Sequence, residues 1–476
     1  MIEQFDVVVI GGGTAGLVTA SGCTRLGRKV ALIEREALGG DCLWTGCVPT
    51  KSLVASAKLA HQIANGEAFG LESAPQKISP RKIMESMREI RRNISRHDAP
   101  EKFRKLGIDV IEGDARFISN QQVVVNDRTL QFKDAVIATG SRTSDPGVNG
   151  LSEVGFLDHS SFLAQDNFPA SLVILGGGYI ATEFAQLFRR FGSEVTVIGR
   201  GAEIVSREDS EVIVRLREIL EGEGVKIRTG WKATSARMSG SQKLVEIESS
   251  DGRKDQVVAD EIFVATGRRG NIEGLGLEAA GVKTERSWVV VDRYLQTSTP
   301  RIWACGDIHG DLLFTHVAAF EAVKLVRNIL FPGKSAIDYE NVPWALYTDP
   351  EVGHIGLTES QAVARFGADN VRTLKVEMAD VDRAVVDRTA LGFVKFVTDP
   401  KGKILGAHAI CTAASTVIEE VVLARKKGVK VGELAQLVSP YPSLADAIGK
   451  TAALYYQDLA TSWIGSAGKK IAKWSQ

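Results

Sequence analysis

Cys42 and Cys47 stand in the stretch Gly39-Gly40-Asp41-Cys42-Leu43-Trp44-Thr45-Gly46-Cys47-Val48-Pro49-Thr50-Lys51. Two thiols so close in a cysteine-poor chain imply a working redox pair or metal ligands. A metal reading needs further Cys or His at ligand spacing, and none is nearby. In an unbroken helix, residues at i and i+5 hold their Cα atoms beyond disulfide reach. The first helical turn must therefore be distorted, and Thr45-Gly46 permits it. A helix N-terminus also favours the reactive thiolate. The other three cysteines, Cys23, Cys305 and Cys411, sit among apolar or small residues and read as inert core thiols.

A nucleotide site precedes the pair. Phe5-Asp-Val-Val-Val-Ile10 is an apolar run suited to a buried parallel strand. Gly11-x-Gly13-x-x-Gly16 follows and opens a helical stretch; a second strand, Val30–Ile33, ends at Glu34. Gly11 makes the turn, Gly13 lets backbone approach a pyrophosphate, Gly16 lets helix and strand pack, and Glu34 accepts from a ribose hydroxyl. The bland alternative is a glycine-rich turn without a ligand. A second unit runs Leu172–Leu175, Gly176-x-Gly178-Tyr179-Ile180-Ala181, then Val195–Ile198 and Gly199-Arg200. No acid ends that strand. An arginine pairs with a 2′-phosphate where an acid would repel it, so Arg200, with Arg207 as a second ligand, points to NADPH rather than NADH. The alternative is two solvated arginines. The first unit, with Glu34, then suits a nucleotide without a 2′-phosphate, such as FAD.

The elements that position these residues must come from several domains. The 476 residues suggest about three. Lys+Arg and Asp+Glu are equal at 58 each, so no strong field speaks for nucleic acid or an acidic membrane surface. Five cysteines exclude a secreted disulfide scaffold. Val7 to Thr24 carries no charge and is long enough for a membrane span, but its glycines argue for the nucleotide turn instead. Met1–Asp6 is acidic and enters a strand at once, unlike a signal peptide. The expectation is a soluble cytoplasmic protein.

These motifs together resemble the class I flavoprotein disulfide reductases, which include glutathione reductase, dihydrolipoamide dehydrogenase and mercuric reductase. The resemblance rests on both glycine motifs, the cysteine pair, Ala138-Thr139-Gly140 and Ala265-Thr266-Gly267-Arg268. It continues through Thr299–Asp307 and Tyr347-Thr348-Asp349-Pro350-Glu351. It implies an α/β fold: two doubly wound, Rossmann-type nucleotide-binding domains plus an α+β dimerisation domain. The implied spans are an FAD domain over 1–146, an NADPH domain over 147–266, a return segment over 267–335 and an interface domain over 341–476, in a homodimer sharing its active site. Residues 54–96 read as long helices with Ile83, Met87, Ile90 and Ile94 on one face and solvated arginines between them.

By the same resemblance Cys47 stacks on the flavin and Cys42 meets the acceptor. Lys51 pairs with Glu183 beside the flavin ring, where a cation stabilises growing negative charge. Tyr179 is the gate that moves for nicotinamide, and Asp307 holds the ribityl chain. Gly40, Asp41, Ala115, Thr139, Gly140, Ile180, Gly267 and Ala318 complete the implied cofactor contacts.

The departure is informative. Disulfide-reducing members carry a His-Pro near the C-terminus, with an acid four residues after the proline. Here the stretch is Ser439-Pro-Tyr441-Pro442-Ser-Leu-Ala-Asp446. A phenol shuttles protons poorly at neutral pH compared with imidazole. Efficient reduction of glutathione disulfide or oxidation of dihydrolipoamide is therefore disfavoured. Mercuric reductases resemble this variant in having tyrosine near this place and NADPH as donor. They add a C-terminal cysteine pair, whereas the last cysteine here is Cys411. The leading expectation is an NADPH oxidoreductase passing electrons through FAD and the pair to a soft metal ion or quinone. Dihydrolipoamide dehydrogenase-type chemistry is second, and a flavin-bound redox sensor is the reading from another class. The tail Ser462–Gln476, with two tryptophans and three lysines, reads as a frayed or docked terminus, and membrane contact is not expected.

Overall fold

A computed structural model describes residues 2–72 and 77–461, with side chains as far as 457. The tail Ser462–Gln476 lies outside the described residues. Ile2–Ile10 carries the run Val7-Val8-Val9-Ile10, all buried. A strand covered on both faces needs no polar alternation. It pairs in parallel with Val30–Glu34 on one side and Arg128–Ile137 on the other. Asp109–Glu112 extends the parallel edge, and Ile302–Ala304 joins Arg128–Ile137 from late in the chain. Gln122–Val125 and Ala115–Ser119 finish this sheet as an antiparallel end.

The second sheet repeats the parallel device in the order Lys226–Thr229, Glu194–Gly199, Ser171–Leu175, Glu261–Val264. A three-stranded antiparallel sheet, Trp231–Ser239, Gln242–Ser249 and Lys254–Ala259, stands beside it in the chain. Ser141–Thr143 pairs with Arg268–Gly270, so the chain leaving for the second unit and the chain returning from it run side by side. The third sheet is antiparallel throughout, in the order Trp344–Leu346, Glu351–Gly356, Ile404–Cys411, Phe393–Thr398, Arg372–Glu377.

One apolar cluster crosses all three units. Leu53 and Ala57 of the helix Cys47–Ala64 pack with Phe184 and Phe188 of the helix Tyr179–Arg190, and with Leu346, Phe393 and Ile410 of the third sheet. Burial on this scale, about 25 cal/mol per Å² of apolar surface, locks the cysteine helix against the second nucleotide unit.

The helix Pro80–Ser95 departs from the expected face. Met84 and Met87 are fully buried, but Ile90 and Ile94 are 40% and 36% exposed. Two arginines explain the rotation. Arg91 donates to the Trp44 carbonyl at 3.0 Å and lies over the Trp44 ring, so the inward stripe runs Met84, Met87, Arg91. Arg88 pairs with Asp166 at 2.7 Å. These two are tied into the structure rather than free on a solvated face. Among the described residues no helix is long and apolar enough to cross a membrane.

Candidate active site

The expected distortion at the sulfur pair is a complete break. A short helix, Gly40–Trp44, ends at Thr45, and a new helix starts at Cys47. Gly46 N–H turns back to the Asp41 carbonyl at 2.5 Å, folding the two helix ends together. The two cysteines approach to 3.0 Å as free thiols. Cys47 Sγ also lies 3.2 Å from Thr315 Oγ1, at the first residue of the helix Thr315–Leu330. The hydrogen bond from Cys42 pulls the Cys47 thiol down to about 6; Thr315 and the Lys51 charge add to this against the cost of burial. Cys42 moves the opposite way, because it donates to Cys47 and is itself partly buried. The surroundings therefore favour the thiolate on Cys47 over that on Cys42.

Lys51 lies one helical turn beyond Cys47, on the same face. Its Nζ is 2.7 Å from Glu183 Oε2, whose other oxygen accepts the Tyr347 N–H at 2.8 Å. Burial would depress this ammonium, but the Glu183 carboxylate overrides it and raises the pKa. Glu183 in turn lies one turn beyond Tyr179 on the helix Tyr179–Arg190. The buried Leu53, Ala57 and Phe184 bring the two helices together and so set this contact.

The two glycine turns share one geometry. Gly11 and Gly176 adopt φ of +107° and +129°, and a Cβ on either would fall 2.3 and 2.2 Å from the carbonyl oxygens of Ala138 and Ala265. A Cβ on Gly16 would strike the Gly11 oxygen at 1.8 Å, so helix and turn touch through that glycine. Some helices start with a side-chain cap, such as Asp158, Asp209 and Thr358, whereas others, Thr315–Leu330 among them, do not. The helices after Gly13 and Gly178 have none, so their first N–H groups remain free for an anion.

The remaining candidates fall into groups. Glu34 ends its strand and accepts the Gly12 N–H at 2.6 Å and the Glu36 N–H at 2.9 Å. Gly40 faces Gly13 backbone to backbone. Asp41 binds Arg268 at 2.7 Å and His159 at 3.2 Å; burial opposes its ionisation, but His159 and Arg268 hold its carboxyl well below the usual range. Asp307 accepts from Ser141 Oγ at 2.7 Å, and burial raises its pKa. Thr139 is fixed by Asn271, which also donates to the Thr139 carbonyl and, from its backbone, to Gly140. Ala115 opens a strand and is buried; Ala318 sits one turn beyond Thr315 against Gly306. In the second unit Ile180 is half-buried at the helix start, and Gly267 takes φ +137° just before the return strand. The Tyr179 hydroxyl donates to Glu208 Oε1 at 2.6 Å. Arg200 and Arg207 are exposed, with no protein partner among the described residues.

Tyr441 and Asp446 make no hydrogen bond to each other, although Lys450 faces both Asp446 and the Tyr441 partner Asp382. Tyr441 is 75% exposed, and its hydroxyl donates to Asp382 at 2.8 Å. Asp446 starts the helix Asp446–Thr461 and faces Lys450 at 3.8 Å. Tyr441 therefore has an acidic partner, but it comes from another element. Cys23, Cys305 and Cys411 are fully buried, and burial pushes all three thiols up, Cys23 and Cys411 to about 12.

Known proteins carry the same arrangement. The pyridine nucleotide-disulphide oxidoreductase model matches residues 5–322, and the dimerisation domain of that family matches 342–452. The chain belongs to this family of flavoprotein disulfide oxidoreductases. It is 34% identical to a mercuric reductase of Streptomyces lividans over 464 residues, covering 96% of this chain and 97% of that one. It is also 34% identical over 472 residues to a dihydrolipoyl dehydrogenase of Rhizobium etli, covering 94% and 97%. Its backbone matches the Cu(II) complex of the HOCl-induced flavoprotein disulfide reductase RclA from Escherichia coli. That match has a TM-score of 0.84 and 29% identity, and covers 95% of this chain and 99% of that one. The family is FAD-dependent and uses NAD(P)H. The two uncapped helices, the glycine contacts and the partner-free arginines fit nucleotide phosphates at both turns.

Several residues of the site lie beyond any spacing motif. Thr315 reaches Cys47 across 268 positions. Glu208, His354 and His408 form a buried cluster behind Tyr179, joined by Trp344, which stacks on His354 at 3.7 Å. Each is a single residue on a different element. Only Arg268 had a signal, in the Ala265–Arg268 motif.

Proposed function

We propose that the chain is an NADPH-dependent, FAD-containing oxidoreductase whose Cys42–Cys47 pair delivers electrons to a soft or redox-active metal ion. FAD, when bound, supplies the two-electron link between nicotinamide and sulfur. The carrying observation is the asymmetry at the pair: Cys42 at 3.0 Å and Thr315 Oγ1 at 3.2 Å both reach the Cys47 sulfur, with a phenol rather than an imidazole at position 441. Oxidation of two thiols to a disulfide releases two electrons and two protons. That suffices for one mercuric ion or two cupric ions, and no leaving thiol needs a general acid. Reduction of a disulfide substrate does need one.

Lys51 keeps positive charge beside the thiolate, Glu183 fixes the lysine, and Tyr179 covers the nicotinamide side. Arg200, directly after the strand Glu194–Gly199, and Arg207, in the turn that follows, support NADPH because exposed guanidinium groups without a partner among the described residues suit a 2′-phosphate. The dimerisation-domain match supports a homodimer in which Tyr441 serves the partner's pair. The second reading, dihydrolipoyl dehydrogenase activity, is favoured by relatives of that name at equal identity.

NADPH oxidation with mercuric ion, cupric ion, oxidised glutathione, lipoamide and a quinone separates these readings. Metal-ion turnover is expected in the wild type and lost in Cys42→Ser, while a quinone reduced directly by the flavin survives that change. Lipoamide or glutathione disulfide turning over at hundreds per second, within the range of roughly 1–1000 per second for enzymes, overturns the metal-ion assignment. Arg200→Ala is expected to raise the KM for NADPH about 10- to 100-fold, the worth of a charge-assisted hydrogen bond, and to leave NADH unchanged. Equal effects on both nucleotides would remove the 2′-phosphate assignment.

A further inference from the structure

Glu208, His354 and His408 come from three elements. Glu208 lies in the turn before the helix Ser210–Gly222, His354 on Glu351–Gly356, and His408 on the neighbouring strand Ile404–Cys411. His354 and His408 stand directly opposite each other in register, so both rings project from one face of the sheet. All three residues are buried, and their candidate ligand atoms lie within 4.8 Å of one another.

The hydrogen bonds fix the tautomers. His354 Nε2 meets the Gly356 carbonyl at 2.9 Å, and His408 Nε2 meets the Leu357 carbonyl at 3.1 Å. A carbonyl only accepts, so both Nε2 atoms carry hydrogen, and a neutral ring keeps its lone pair on Nδ1. His354 Nδ1 lies 2.9 Å from Glu208 Oε2, which brings one acceptor against another. Among the described residues His408 Nδ1 is buried without a hydrogen-bond partner. A proton between His354 and Glu208 would satisfy two of these atoms and leave the third orphaned, which folded proteins rarely tolerate. One cation satisfies all three.

The surroundings match a metal site in other respects. A metal-bound histidine usually donates its second N–H to a backbone carbonyl, as both do here. Glu208 Oε1 is oriented by Tyr179 Oη at 2.6 Å and Trp344 Nε1 at 2.7 Å. Lys395, opposite His408 on the next strand, does not oppose a cation strongly, because its ammonium is held by Asp209, Glu211 and Glu359. Two imidazoles and one carboxylate suit zinc, with three protein ligands leaving one position open.

We propose that Glu208, His354 and His408 bind one divalent cation of the zinc type, which ties the third sheet to the second nucleotide unit directly behind the Tyr179 hydroxyl. This site is separate from the cysteine pair and does not depend on which acceptor the enzyme uses. Bound there, the cation anchors the carboxylate that receives the Tyr179 hydroxyl.

The test uses FAD-loaded Cys42→Ser/Cys47→Ser protein, which removes the competing thiols, grown with added zinc and washed with a mild chelator. Elemental analysis is expected to find about one zinc per chain, and His408→Gln in the same background is expected to lose it while keeping its flavin. Full zinc retention by His408→Gln overturns the proposal, as does metal-free protein before that substitution. Should His408→Gln fail to fold, anomalous scattering at the zinc edge from crystals of the zinc-grown, unsubstituted enzyme decides. A peak between the three side chains supports the site, and a flat map there overturns it.

Discussion

Lys51 meets one carboxylate, Glu183 at 2.7 Å, whereas Lys395 meets three, Asp209, Glu211 and Glu359, at 2.9, 2.9 and 2.7 Å. Burial works against both ammonium groups, and in both the carboxylates win and the pKa rises. The outcomes differ because the counter-charges differ in number. Lys395 has no exposed side-chain surface and is outnumbered by its partners, so its charge serves to clamp the third sheet to the start of the helix Ser210–Gly222. Lys51 keeps enough field to help pull the neighbouring Cys47 down. A half-buried lysine such as Lys51 becomes chemically useful where the fold leaves it with a single counter-charge.

The largest expected effect breaks the clamp. Lys395→Met leaves the fully buried Asp209 without its cation and is expected to cost about 3–5 kcal/mol in denaturant unfolding. Flavin reduction by NAD(P)H per folded molecule should change little. A loss below about 1 kcal/mol would mean that the three carboxylates do not depend on this lysine.

Lys51→Met should do the reverse. Acceptor-linked turnover is expected to fall about 10²- to 10³-fold, the usual consequence of deleting one electrostatic stabiliser from an active site. Steady-state rates check this, and a stability loss exceeding that of Lys395→Met would invert the comparison.

The smallest effect concerns Thr315. In the reduced protein, thiolate absorbance should rise with a midpoint near about 6, against 9.0 for an unperturbed thiol. This depressed pKa gives Cys47 a stabilising contribution that is complete above the unfolded value and is lost as pH falls through about 6. Thr315→Val removes a hydrogen bond worth about 1 kcal/mol and should raise the midpoint by about 0.7 unit. An unchanged midpoint would assign the whole depression to Cys42 and Lys51.

Much of this was legible in the residues. The apolar run Val7–Ile10 and the glycines after it mark a buried parallel strand and its turn, because both are dictated by local backbone and burial rules. The Thr45-Gly46 break follows from the reach of a disulfide across five residues. The pairing of Lys51 with Glu183 came from family resemblance, since nothing local links positions 132 apart. The face of Pro80–Ser95 was misjudged because apolar spacing gave no sign that Arg91 would turn inward to Trp44. The Tyr441 hydroxyl found Asp382 rather than Asp446 because the choice of partner depended on how a separate segment packs.

By itself the sequence determined the chemistry available: a sulfur pair, two dinucleotide turns and a phenol where relatives that reduce disulfides use imidazole. Spacing carries that information, since turns and helix starts are local. Only the tertiary structure decided which charges compete for each lysine, that Thr315 reaches Cys47, and that Glu208, His354 and His408 share one buried point. Those contacts join residues far apart in the chain, and long-range packing of apolar side chains chooses them.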